Sequence, residues 1–185
     1  MTNDVLNRAE ASMRKGVEAT VREFAGVRTG RASTALVQGI AVDYYGTPTP
    51  LHQVATVATP ETRLITIQPW DQSLVPAIEK AILKSDLGIT PSNDGRIIRI
   101  AVPPLTEERR KELVRIVRRM TEEGRVAIRN IRRDANEKLK SLEKQKQVSE
   151  DDLKKATDSV QKLTDKYIKE LEMALASKEK EILEF

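Results

Sequence analysis

VAIRNIRRDANEKLK, residues 126–140, sets small aliphatics at helical spacing among long cations: Arg129, Arg132 and Arg133 lie inside it and Arg125 just before it. Followed in both directions, Leu113, Ile116, Met120, Ala127, Ile131, Leu139 and Leu142 recur every three or four residues, the period of one face of an α-helix. Pro103-Pro104 lead into this helix and Thr106 stands as its cap. Gly124, in its middle, weakens it by about 1 kcal/mol relative to alanine. A second helix opens at SEDD, where Ser149 is the cap and Asp152 holds the capping-box position, and runs through Leu153, Ala156, Val160, Leu163, Tyr167, Leu171 and Leu175. Only residues 145–149 separate the two, which allows an antiparallel pair and nothing else. Near the N-terminus Val5, Ala9, Met13, Val17, Thr20, Phe24 and Val27 repeat the spacing, with Thr2 or Asn3 as N-cap and Gly30 as the stop. Three amphipathic helices need each other's apolar stripes, so the reading is a three-helix bundle; at roughly 45 Å per 30 residues it is a rod.

All eight prolines fall between Pro48 and Pro104. Within that region IAVDYYG (40–46), RLITIQPW (63–70) and RIIRIAV (96–102) read as strands, and SLVPAIEKAILKSDL (73–87) reads as a helix stopped by Gly88. The fold class expected is α+β: an elongated antiparallel three-helix bundle from residues 1–30 and 105–185, interrupted by a small β/α/β domain at 31–104. Two linkers then join the parts, and Gly30, Arg31, Pro103 and Pro104 are the expected hinge.

Composition removes several function classes. There is no cysteine, hence no disulfide, thiolate metal site or Cys nucleophile, which fits a reducing interior. The one histidine, His52, has no companion for a metal or a catalytic triad and reads as a loop residue. Asp151-Asp152 and Glu107-Glu108 sit at helix N-termini, where the dipole favours acids, so they do not read as paired catalytic carboxylates. VRTGRAS (27–33) lacks the spacing and the Lys-Ser/Thr ending of a phosphate-cradling loop. No catalytic residue, metal site or cofactor is expected. With no N-terminal apolar segment and no long apolar run, the chain reads as cytoplasmic, away from any membrane.

The net charge of +4 is unevenly spread. Segment 105–146 holds 14 basic and 8 acidic residues, whereas 147–185 holds 7 and 10. Up to Arg133, nine of the ten cations in the first segment are arginine; the second uses only lysine. On a wheel of about 100° per residue, Arg125, Arg129 and Arg132 fall within about 40° of Arg118, with Lys111, Arg115, Arg133 and Lys140 alongside and only Glu122 interrupting. The apolar stripe centres about 140° away, so the row is expected to point outward. A solvated face is the ordinary meaning of such a run. The choice of arginine favours phosphate instead, because a guanidinium binds it as a planar fork. Pairing with the acidic last helix accounts for Arg109 and Arg119, which lie off the row, and not for Arg129 or Arg132. Arg28 and Arg31 flank Gly30; they either complement a helix C-terminus or grip a phosphate, and residue type does not choose between these. Tyr44, Tyr45 and Trp70 could stack on bases, yet packing is the commoner use of aromatics among strands.

With these residues in view, VRTGRAS, DYYGTPTPLHQ (43–53), LTEERRKEL (105–113), VAIRNIRRDAN (126–136) and the closing KEKEILEF resemble the bacterial ribosome recycling factor family, in order and over essentially the whole chain. Thr34 stands where many members have proline. The resemblance implies an L-shaped molecule whose rod binds large-subunit ribosomal RNA across the tRNA sites after termination. It also implies elongation factor G as the partner that, using GTP, drives the subunits apart. Arg31, Arg110, Arg129 and Arg132 match family positions expected at the RNA, although the wheel sets Arg110 nearer the apolar flank. The full expected RNA-binding set is Arg28, Arg31, Arg110, Arg118, Arg125, Arg129, Arg132 and Arg133. The competing reading is a coiled-coil scaffold that binds only protein and dimerises through its stripes, whereas a bundle satisfied within one chain is a monomer.

Overall fold

A computed structural model describes residues 1–184; Phe185, which closes the expected bundle segment, lies outside the described residues. The chain divides into two compact units, Met1–Arg28 with Glu107–Glu184, and Thr29–Thr106.

The first unit holds helices α1 (Thr2–Ala25), α3 (Glu107–Lys144) and α4 (Glu150–Glu184). Thr2 and Asn3 are the first residues of α1 rather than its cap, and the helix stops at Ala25 with Gly26 as C-cap, four residues before Gly30. Between α3 and α4 the chain reverses through Lys146, held at φ 57°. Its N–H donates to the Glu143 carbonyl at 2.8 Å and that of Gln147 to the Leu142 carbonyl at 2.9 Å, the paired bonds of a Schellman stop. Ser149 then caps α4, its Oγ accepting from the Asp152 N–H at 3.1 Å.

The bundle core is layered. Val5 and Ala9 of α1 meet Ala135 and Leu139 of α3 and Ala156 and Val160 of α4. Further along, Met13 and Val17 meet Ile128, Tyr167 and Leu171. Rising numbers on α1 and α4 face falling numbers on α3, so α3 is antiparallel to both. Three threonines are buried here, and each satisfies its hydroxyl on its own helix: Thr20 on the Gly16 carbonyl at 3.2 Å, Thr121 on that of Val117 at 2.8 Å and Thr164 on that of Val160 at 2.8 Å. None needs a partner across the bundle.

The second unit contains β1 (Ala41–Tyr44) paired with β2 (Thr47–Pro50), and a four-stranded antiparallel sheet ordered β3 (Ala55–Glu61), β4 (Leu64–Pro69), β6 (Ile98–Ala101), β5 (Ser92–Asn93). The β1–β2 loop is Tyr45-Gly46, both at positive φ (49° and 84°), the backbone a two-residue hairpin demands. The segments expected as strands contain β1, β4 and β6. Pattern reading passes over β2 and β3 because TPTP and TPE carry prolines; these strands lie at sheet edges, where a missing N–H is tolerated. Helix α2 (Val75–Lys84) is shorter than expected, since residues 72–74 form a separate 3₁₀ turn capped by Asp71. Val37, Val42, Leu51, Ile65, Ile67, Ile78, Ile82, Ile98 and Ile100 fill the core. No helix among the described residues is long and apolar enough to cross a membrane.

Among the glycines of the bundle, Gly124 has the least room. A Cβ there would lie 2.8 Å from Thr20 Oγ1 and 3.2 Å from Leu171 Cδ1. Gly124→Ala therefore sets a helix-propensity gain of about 1 kcal/mol against an overpacking penalty of about 1–3 kcal/mol. Urea denaturation should show a net loss of up to about 2 kcal/mol, and Thr20→Ala in the same chain should recover part of it by removing the hydroxyl. Stabilisation by Gly124→Ala alone would contradict this packing.

Candidate nucleic-acid interface

The α3 residues that are buried are Leu113, Val117, Thr121, Gly124, Ile128, Ala135 and Leu139. Ile116, Met120 and Ile131 are half-exposed and Ala127 is exposed. On the same wheel the buried stripe centres about 95° from Arg118 rather than 140°, so the helix is turned by about 45° relative to the hydropathy reading. The reason lies in two core positions, Thr121 and Gly124, that carry no hydrophobic signal. Where three helices crowd together, small size selects the residue, not apolarity.

This rotation corrects the expectation that the arginine row stands clear of carboxylates on the far side of α3. Arg118 Nε donates to Glu179 Oε1 of α4 at 2.5 Å. That bond, and then the carboxylate's charge, raise the Arg118 pKa further above its ordinary value. Arg125, only 22% exposed, pairs with Glu122 at 3.0 Å and with Glu172 of α4 at 3.7 Å. Arg129 shares Glu122 at 3.4 Å. Arg132 does reach across to α4, contrary to expectation, but its Nη1 donates to a neutral acceptor, Gln161 Oε1, at 3.4 Å. Arg133 and Lys140 are exposed. Neither makes an ion pair among the described residues, and together with Arg132, Asn136, Glu137 and Gln161 they line a shallow depression. Three cations face one carboxylate there. The cationic surplus therefore sits on residues 132–140, and the part of the row from Arg118 to Arg129 is matched by acids.

Those α4 acids escape a reading of α3 by itself, although the signal is present: 147–185 holds ten acids against seven bases. Pairs this exposed contribute only about 0–1 kcal/mol each, so an incoming phosphate can compete for the same guanidinium. Asn136 is a further member of this surface that residue type does not announce; its Oδ1 is buried without a hydrogen-bond partner.

The remaining expected residues divide. Arg110 is half-buried and its Nη1 donates to the Leu183 carbonyl at 2.6 Å, closing the C-terminal turn of α4. This agrees with the wheel's placement of Arg110 nearer the apolar flank. Arg28 and Arg31 are both exposed and lie three and six residues beyond Ala25. At that distance they do not complement the α1 dipole, a role that falls to Arg22 in its last turn. Arg28 ends the first unit and Arg31 belongs to the second. Of the hinge set, Gly30 is buried and Pro103 and Pro104 are exposed. Just inside them, the Ala32 N–H donates to the Thr62 carbonyl at 2.7 Å and the Val102 N–H to that of Arg63 at 2.8 Å. Both connecting strands are thus pinned to the β3–β4 turn. Among the described residues no group of His, Asp or Glu is placed to hold a metal ion.

The model of the family described as ribosome recycling factor matches residues 20–183. A ribosome-recycling factor of Oleidesulfovibrio alaskensis is 59% identical over 180 residues, 97% of this chain and 98% of the relative. One from Carboxydothermus hydrogenoformans is 57% identical over 183 residues, 99% of each. Among solved structures, a solution structure of the ribosome recycling factor is 50% identical, with a TM-score of 0.76, covering 100% of this chain and 98% of that one. Another, of the Thermus thermophilus factor with Escherichia coli elongation factor G on the Escherichia coli post-termination complex, is 49% identical with a TM-score of 0.64 and covers 99% of each chain.

The two kinds of arginine are separable without any ligand. Arg110→Ala should speed amide hydrogen exchange in the last turn of α4 several-fold, while Arg133→Ala leaves exchange there and global stability unchanged within about 0.5 kcal/mol. Equal effects of the two substitutions would remove the distinction.

Proposed function

The chain belongs to the ribosome recycling factor family, and on that premise we propose that it binds the post-termination ribosome at the tRNA sites of the large subunit. With elongation factor G and GTP it then parts the subunits and releases mRNA and tRNA. The relative solved beside elongation factor G on a post-termination complex supports this assignment of partners. The observation that carries the RNA contact is the surplus of Arg132, Arg133 and Lys140 in one depression, two of the three being arginine. Arg118, Arg125 and Arg129 join this surface by exchanging a carboxylate for a phosphate, a trade between two bidentate acceptors of the same fork. Arg28 and Arg31 add exposed cations near the start of the connecting strand. Arg110 contributes indirectly, by holding the end of α4.

The chain's part in recycling is positional. It supplies fixed charge on a helix and a joint, and the hydrolysis of GTP belongs to the elongation factor. The joint is residues 28–31 and 103–106, including Gly30, Arg31, Pro103 and Pro104, bounded by the backbone ties at Ala32 and Val102. A push on the second unit is passed to the bundle through these short stretches. A coiled-coil dimer is disfavoured because the stripes it would use are consumed within one chain: Val5, Met13 and Val17 already pack on α3 and α4.

Ribosome binding across a salt series tests the surface. Removing a side chain that neutralises one phosphate should lower the log–log slope by roughly 0.7–0.9. Arg132→Ala and Arg133→Ala should each show that decrease, and Arg118→Ala a smaller one, since its binding must first break the Glu179 pair. Unchanged slopes for Arg132→Ala and Arg133→Ala would remove this face of α3 from the interface. For the joint, a Gly-Ser insertion after Arg28 and another after Pro104 should leave ribosome affinity within about twofold and slow subunit splitting at least about tenfold. Splitting at the normal rate would reject transmission through short strands.

A further inference from the structure

Charges along the seam between α3 and α4 keep an interval of seven residues, which returns a helix to nearly the same face. Arg118, Arg125 and Arg132 recur at that interval on α3, and Asp165, Glu172 and Glu179 recur at it on α4, which runs the opposite way. Two rungs of this ladder close as ion pairs, Arg118 on Glu179 at 2.5 Å and Arg125 on Glu172 at 3.7 Å. The same register sets Asp165 against Arg132, yet the third rung is built differently. Asp165 Oδ1 accepts from Gln161 Nε2 at 2.9 Å, one turn back on α4, and it is Gln161 Oε1 that receives Arg132 Nη1 at 3.4 Å. Aspartate is one methylene shorter than the glutamates of the other rungs, and its carboxylate is engaged on its own helix.

An amide carries an acceptor on one side and donors on the other. With its NH2 committed to Asp165, Gln161 turns its carbonyl to α3; a flipped amide would set N–H against guanidinium and abandon the carboxylate. Gln161 thus does for Arg132 what Glu179 does for Arg118 in direction, without cancelling its charge.

We propose that Gln161, held by Asp165, is a positioning residue for Arg132 that keeps this guanidinium aimed, on a neutral acceptor, for a phosphate of the RNA backbone; the inference rests on the recycling reading above. A side chain oriented in advance loses less freedom on binding. A 3.4 Å bond to a neutral oxygen also yields readily to phosphate, because charge-assisted hydrogen bonds are about twice as strong as neutral ones. Service to the bundle does not account for the arrangement, since Gln161 and Asp165 are both exposed, where polar pairs add little to stability.

The test measures ribosome binding by the intact chain across a salt series, for the parent, Gln161→Ala, Gln161→Glu, Arg132→Ala and the double variant Arg132→Ala with Gln161→Glu. All should melt within about 2 °C of the parent. Gln161→Ala should weaken binding about two- to threefold with the parental log–log slope, because the charge remains and only its aim is lost. Gln161→Glu closes the third rung as an ion pair, so affinity should fall at least about threefold and the slope should move toward that of Arg132→Ala. In the double variant the glutamate should weaken binding no further than Arg132→Ala does alone. Parental affinity for Gln161→Ala overturns the positioning role, as do parental affinity and slope for Gln161→Glu. An equal loss from the glutamate with or without Arg132 overturns it too, since that would be general repulsion of RNA. If Arg132→Ala itself binds like the parent, the assignment of this surface to RNA fails first and the inference falls with it.

Discussion

Where Gly124 of α3 passes Thr20 of α1 and Leu171 of α4, there is no space for a methyl group. The rotational setting of α3 follows from that contact. With a side chain at 124 the helix would have to turn or retreat; with none it brings Thr121 and Gly124 inward and carries Arg118, Arg125 and Arg132 round to the seam with α4. The pattern of charge that the protein shows to its surroundings is thus a by-product of how closely three backbones approach. The buried threonines serve the same end, because each bonds its own helix and leaves neighbours free to come near.

That seam has a chemical logic. A guanidinium already oriented by Glu179 or Glu122 has given up much of its rotamer freedom in the free protein, so exchanging the carboxylate for a phosphate orders little more. Lysine, a flexible stem with a single charged point, would gain less from such preparation. The choice of cation is consistent with this: up to Arg133 nine of the ten cations in 105–146 are arginine, whereas 147–185 uses only lysine.

The existence of the helices is legible because three apolar stripes keep a period of three to four over more than twenty residues each, and the Ser149 cap is visible in SEDD. The phase of α3 is not, since hydropathy counts Ile116 and Met120 as core and passes over Thr121 and Gly124, which fill it. An error of about 45° is enough to misplace the arginine row relative to the α4 acids. In the sheet, proline-bearing TPTP and TPE hide two edge strands whose pairing is set by neighbours rather than by local preference. Residue type alone singles out the cations at 132 and 133, which hold the surplus of charge. It does not separate them from Arg110, whose bond to the Leu183 carbonyl is visible only in the structure.

The paired ties from Ala32 to Thr62 and from Val102 to Arg63 also bear on how the chain reaches its native state. Joining α1 to α3 across Thr29–Thr106 as an open coil would carry the closure entropy of a long loop. Once the sheet has formed, its two ends emerge from adjacent peptide groups, and the coil left to close is only a handful of residues on either side. At about 0.6 kcal/mol per doubling of loop length, that spares the bundle about 2 kcal/mol and gives the discontinuous unit reason to assemble after its guest.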